Sequence, residues 1–161
     1  MIQFMKEKIA IFPGSFDPFT IGHESIVQRG LSIFDKIIIG IGINNSKKHF
    51  LDIEKRIQII KKVFENENRI EIKTYQGLTV DFCKKEKAGY LLRGLRTSAD
   101  FEFERAIGQT NKRLTPEIET VFLLTLPEHS YISSSIVKDV IINGGNLEGF
   151  LPSNIERIDL I

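Results

Sequence analysis

Five short apolar, β-branched runs, each followed by a longer stretch of helical period, constrain the fold of this 161-residue chain more than any other feature. The runs fall at 9–12, 36–43, 69–75, 90–92 and 120–125, and those at 36–43 and 120–125 read as strands buried on both faces. Helical segments are expected at 22–34, 52–64 with Asp52 as N-cap, 79–87, 98–114 and 133–143 before Gly144 and Gly145, and Pro152 can open a terminal helix. Strands separated by helix-length segments return parallel to one another. The expected fold is therefore α/β, a five-stranded parallel sheet with helices on both faces, in one domain spanning 1–161. That length fits the prior of roughly 100 to 200 residues per domain.

Composition removes several classes of function. Hydrophobic residues are 42% of the chain and charged residues 27%, enough apolar surface for a packed core and unlike a disordered chain. Twenty-two Lys and Arg oppose twenty-one Asp and Glu, a balance that disfavours nucleic acid as a partner. The single cysteine, Cys83, excludes an internal disulfide framework and a cysteine-rich zinc site, and fits a reducing cytoplasm. No apolar stretch approaches the roughly 18 residues of a membrane span, and residues 1–8 carry charges unlike an export signal.

In open parallel sheets ligands gather beyond the carboxyl ends of the strands, so those loops are the ones to read. Pro13-Gly14-Ser15-Phe16-Asp17-Pro18-Phe19-Thr20-Ile21-Gly22-His23 leads from the first strand into a helix, offering backbone amides, the Ser15 hydroxyl and the His23 imidazole to an anion. Neither the P-loop nor the dinucleotide fingerprint occurs, so phosphate must be held another way. Ser46, Lys47 and Lys48 follow the second strand, although a lysine pair also reads as solvated surface. Arg93 and Arg96 flank Gly94 at the end of the fourth, where planar forks suit phosphate. Glu104 follows in a helix whose early acids also complement its dipole. Before the last helix, His129 to Ser135 includes three consecutive serines where one N-cap suffices, so two hydroxyls are surplus, and Lys138 one turn on can aim at the same anion.

Gly14-Ser15-Phe16-Asp17-Pro18 with Thr20-x-Gly22-His23, Ser46-Lys47-Lys48, Arg93-Gly94-Leu95-Arg96, Ala99-Asp100-Phe101-Glu102, and Ile132-Ser133-Ser134-Ser135 with Lys138 together resemble the phosphopantetheine adenylyltransferase family of bacterial coenzyme A biosynthesis. The resemblance runs through nearly the whole chain and places it in the nucleotidyltransferase superfamily, with Thr20 standing where the superfamily signature H-x-G-H has its first histidine. It implies a Rossmann-like nucleotidyltransferase fold, and a Mg²⁺-assisted reaction of ATP with 4′-phosphopantetheine giving dephospho-coenzyme A and pyrophosphate. It also implies a cytoplasmic homohexamer, with dephospho-coenzyme A and coenzyme A as further candidate ligands.

Carried over by position, Ser15, Phe16, His23, Gly94, Leu95, Arg96, Glu104 and the run His129, Ser130, Tyr131, Ile132, Ser133, Ser134, Ser135 would contact ATP, while Ser15, Lys47, Thr79 and Arg93 would contact phosphopantetheine. The catalytic pair implied is His23 and Lys47 on the reacting phosphates, with His23 facing a solvated cleft; no metal ligands are evident. The pattern departs from the family at Asn45 and His49, where relatives commonly carry prolines, which removes their stiffening from the loop of Lys47. Another nucleotidyltransferase with a different acceptor, or a nucleotide-binding regulator without catalysis, are the competing readings.

Overall fold

A computed structural model describes residues 7–44, 46 and 48–160. Five parallel strands, β1 (Ile9–Gly14), β2 (Lys36–Gly42), β3 (Ile70–Tyr75), β4 (Tyr90–Leu95) and β5 (Glu119–Leu124), are ordered β3-β2-β1-β4-β5. The connecting helices are α1 (Ile21–Gly30), α2 (Ile53–Val63), α3 (Thr79–Lys85) and α4 (Ser98–Leu114), with α5 (Ser134–Ile142) after β5. Alternation along the strands divides the core. Ala10, Phe12, Ile37, Ile39 and Ile41 pack with Val27, Ile60 and Val137 of α1, α2 and α5, whereas Ile11, Ile38 and Leu91 pack with Val80, Phe82 and Cys83 of α3. Helices therefore cover both faces, as the βα alternation predicts.

Four expectations need correction. β5 is an edge strand, half-buried in its middle and exposed at both ends, because it pairs only with β4; its apolar run reads like a buried strand without being one. α1 stops at Gly30 instead of 34: the amides of Ser32 and Ile33 bond three residues back, to Arg29 O at 3.2 Å and Gly30 O at 2.9 Å, and this tighter turn leads to the buried Phe34. β4 runs on through Leu95, so Arg93 and Gly94 lie within the strand. No helix begins at Pro152; only a short 3-10 turn forms at Arg157–Leu160, with Arg157 donating to Ile141 O in the last turn of α5 at 2.9 Å and to Gly145 O in the turn that follows it.

Asp52 does cap α2, accepting the Lys55 amide at 2.7 Å, and Ser133 caps α5 through the Ile136 amide at 3.2 Å. Cys83 is fully buried and burial pushes its thiol up to about 12, which makes it a packing residue. Among the described residues no helix is long and apolar enough to cross a membrane.

Candidate active site

The chain runs from β1 to β3 on one side of the sheet and crosses to β4 on the other. The strand order thus reverses between β1 and β4, the place where a parallel sheet leaves a crevice at its carboxyl edge. A cleft of about 370 Å³ opens there, built from Gly14, Ser15 and Phe16 after β1, His23 in α1, Gly94 and Arg96 of β4 and its exit, and Ile132 to Ser134 before α5.

Phe16 shapes the floor. Its backbone is left-handed, φ 49°, and its ring folds back over Gly14, where a Cβ would come within 2.8 Å of it. A non-glycine residue holds that region at a cost of about 1 kcal/mol or more, and only where its surroundings fix it. Here the ring is buried against Phe12 and Phe19 at centroid distances of 5.4 Å each.

His23 sits in the first turn of α1 in a reciprocal cap with Thr20. The Thr20 amide donates to His23 Nδ1 at 3.0 Å, the Thr20 hydroxyl lies 3.1 Å from the same nitrogen, and the His23 amide donates back to Thr20 Oγ1 at 3.4 Å. A nitrogen that accepts from a backbone N–H carries no proton, so the imidazole hydrogen lies on Nε2. Burial, with Arg96 and then Arg93 adding repulsion, lowers the pKa of His23 to about 4. His23 is thus a neutral donor at physiological pH rather than a cation.

This charge state has a measurable consequence. Between pH 4 and 6.5 the unfolded chain binds a proton at His23 that the folded chain refuses, so stability is complete above 6.5 and falls as pH drops toward 4. The loss is at most about 3 kcal/mol. Histidine NMR should show Nε2–H and an inflection near pH 4; an inflection near 6.5 would overturn the assignment.

Arg96 forks onto Asp100, with Nε–Oδ2 3.0 Å and Nη2–Oδ1 3.2 Å, and its Nη1 reaches Ile132 O at 3.5 Å, joining β4 to the segment before α5. Burial pushes the Asp100 carboxyl up, but the Arg96 bonds outweigh it and hold it below the ordinary range. A second cleft of about 190 Å³ lies on the α3 side, lined by Tyr75, Thr79, Leu91, Ile107 and Asn111, and it shares Pro13, Gly14, Arg93 and Glu104 with the first.

A cytidylyltransferase-like family model matches residues 11–140. The phosphopantetheine adenylyltransferase of Flavobacterium johnsoniae is 53% identical over 146 residues, covering 91% of this chain and 95% of that protein. That of Cytophaga hutchinsonii is 50% identical over 148 residues, covering 92% and 99%. The chain belongs to the phosphopantetheine adenylyltransferase family. A solved Plasmodium falciparum nicotinic acid mononucleotide adenylyltransferase in complex with NaAD has a TM-score of 0.72 at 17% identity, covering 97% of this chain and 95% of that one, a likeness of fold.

Of the positions the family resemblance marks for ATP, Ser15, Phe16, His23, Gly94, Arg96, Glu104, His129, Ile132, Ser133 and Ser134 line the first cleft. Leu95 is buried, Tyr131 points outward at 60% exposure and Ser135 is exposed; the Ser130 hydroxyl is turned back onto Pro127 O at 2.8 Å. His129 Nδ1 is buried without a hydrogen-bond partner. Of those marked for the acceptor, Thr79 and Arg93 line the second cleft, where Tyr75 holds the Thr79 hydroxyl at 2.9 Å, and Ser15 lines a third opening beside Asn44 and His49. Lys47 and Asn45 lie outside the described residues.

Three side chains are not as the sequence suggests. Ser134 is no surplus hydroxyl, because it donates to Pro18 O at 2.9 Å and ties α5 to the β1–α1 loop. Lys138 lies over the Phe50 ring, 5.7 Å from its centroid, rather than in the cleft. Arg93 is no free cation: Nε donates to Glu104 Oε2 at 2.7 Å, Nη2 to Oε1, and Nη1 to Pro13 O at 2.8 Å.

Sequence reasoning missed Asp17 and Arg56. Asp17 accepts the amides of Phe50 and Leu51, each at 2.7 Å, with His49 Nδ1 at 3.5 Å, and so anchors the far end of the loop after β2. Arg56 carried a legible signal, a charge at the i+3 position of the apolar stripe through Ile53 and Ile60.

Proposed function

We propose that this chain, as one domain over residues 1–161, transfers the adenylyl group of ATP to 4′-phosphopantetheine, giving dephospho-coenzyme A and pyrophosphate in coenzyme A biosynthesis. A phosphate oxygen of the acceptor attacks the α-phosphorus in line, and the bond from that phosphorus to the pyrophosphate oxygen breaks. The acceptor is its own nucleophile, so the protein must align two polyanions and place donors where charge builds.

The observation that carries this reading is the meeting of two clefts at Pro13, Gly14, Arg93 and Glu104. We assign ATP to the larger cleft, with the Nε2–H of His23 donating to the α-phosphate and Arg96 and the Ser133 to Ser135 turn on the β and γ phosphates. The acceptor takes the smaller cleft beside Thr79 and Arg93, with Ser15 between the two and Lys47 on the reacting phosphate. Among the described residues no group of three His, Cys, Asp or Glu side chains is placed to hold a metal. Mg²⁺ we assign to the substrate, because the triphosphate oxygens are themselves ligands for it; it would enter on ATP and neutralise part of its charge.

We further place the enzyme in the cytoplasm as a homohexamer. Phe103 and Leu114 are exposed apolar side chains of α4, and Leu124 is exposed at the end of the edge strand β5; these are surfaces suited to a second copy. Light scattering reads the assembly. Chromatography of a reaction holding ATP, Mg²⁺ and 4′-phosphopantetheine tests the activity: dephospho-coenzyme A is expected, and its absence with folded protein overturns the reading.

A further inference from the structure

Arg56, in the first turn of α2, is 3% exposed, and among the described residues its guanidinium bonds to backbone carbonyls rather than to a carboxylate. Nη1 donates to the Ser15 carbonyl at 2.8 Å and Nε to the Asp52 carbonyl at 3.3 Å. A buried guanidinium without a counter-charge is unfavourable. The helix does not need it either, since Asp52 already caps α2 and an apolar side chain would complete the stripe between Ile53 and Ile60. What Arg56 alone supplies is a grip on Ser15.

That grip sets the orientation of the next amide. In a trans peptide the carbonyl of one residue and the N–H of the next point in opposite directions. Fixing the Ser15 carbonyl toward α2 therefore turns the Phe16 N–H away from it. This amide donates to no described residue, and Phe16 lines the larger cleft. Asp17, through its bonds to Phe50 and Leu51, holds the chain on the other side of Phe16.

We propose that Arg56 is a positioning residue for adenylyl transfer, holding the Ser15–Phe16 peptide so that the Phe16 amide is presented to a nucleotide phosphate. The proposal rests on the adenylyltransferase reading above. Arg56→Met keeps length and apolar packing and removes the donors, whereas Arg56→Lys keeps the charge and one donor group.

Arg56→Met should lower kcat at least about tenfold, as expected for loss of an oriented donor, while the KM for 4′-phosphopantetheine stays within about threefold. Arg56→Lys should recover part of the loss. In the unmodified ¹⁵N-labelled protein the Phe16 amide resonance should move on adding ATP. Wild-type kcat in folded Arg56→Met overturns the proposal, and where that variant does not fold, wild-type kcat in Arg56→Lys does so. A Phe16 resonance unmoved by saturating ATP overturns it without any variant. If the unmodified protein binds no ATP and makes no dephospho-coenzyme A, the functional reading falls first and this proposal with it.

Discussion

His23→Ala should lower kcat by about 10² to 10³, the usual cost of removing one preorganised donor from a developing oxyanion. Affinity for ATP should change by less than about tenfold, because a bond that strengthens with the transition state contributes little to the ground state. Stability should also fall, because the imidazole that lines the cleft is packed on its other side. The imidazole completes the cap of α1 and stands 5.2 Å from the Phe16 ring and 5.3 Å from that of Phe19. Losing the cap partner costs about 1 kcal/mol, and lost ring packing adds to it. Single-turnover transfer, an ATP titration and a melting curve on the same variant separate these effects. Near-normal turnover would reduce His23 to a helix-start residue, and a collapse of the melting temperature would make its role chiefly structural.

Arg93→Ala should be the more damaging change to the fold. It leaves Glu104, 9% exposed, without its counter-charge and strips the Pro13 carbonyl of its donor. Breaking a fully buried pair from one side costs about 3 kcal/mol or more; with the Arg93 side chain 28% exposed the cost here should be about 2 kcal/mol, equivalent to a drop of roughly 4 to 8 °C for a chain of this length. The double variant Arg93→Ala with Glu104→Gln removes the stranded charge and should recover part of the loss. A melting temperature for Arg93→Ala within 1 °C or so of the parent would show that the pair is solvated and weak. Acceptor binding should weaken as well, since the same pair walls the smaller cleft.

The alternation of strand and helix was legible because a strand covered on both sheet faces reads as a short continuous apolar run, whereas a helix packed on one side carries an apolar stripe of period 3.6. The cap at Asp52 was legible because it is local, whereas three consecutive serines do not tell which of them caps α5, and it is Ser133 that does so. What could not be read was set by pairing across the fold. Arg93 and Glu104 stand eleven residues apart on a strand and a helix, and nothing in that spacing announces a fork between them. β5 has the composition of a central strand and lies at an edge because the chain ends its crossings there. Lys138 carries the charge of a phosphate ligand but lies over an aromatic ring on another loop. Thr20, noted only as a departure from H-x-G-H, proved to be the residue that fixes the His23 tautomer.

That last contact joins local opening to chemistry. The hydrogen bonds that close the first turn of α1 are the same ones that decide which imidazole nitrogen carries the proton. Fraying of this turn, the least protected part of a helix, releases Nδ1 to solvent and lets the proton redistribute between the two nitrogens. The donor is then lost although the sheet and both core clusters remain intact. Heat would in that case silence turnover at temperatures where amide exchange is fast at His23 and Glu24 yet still slow through β1 and β2.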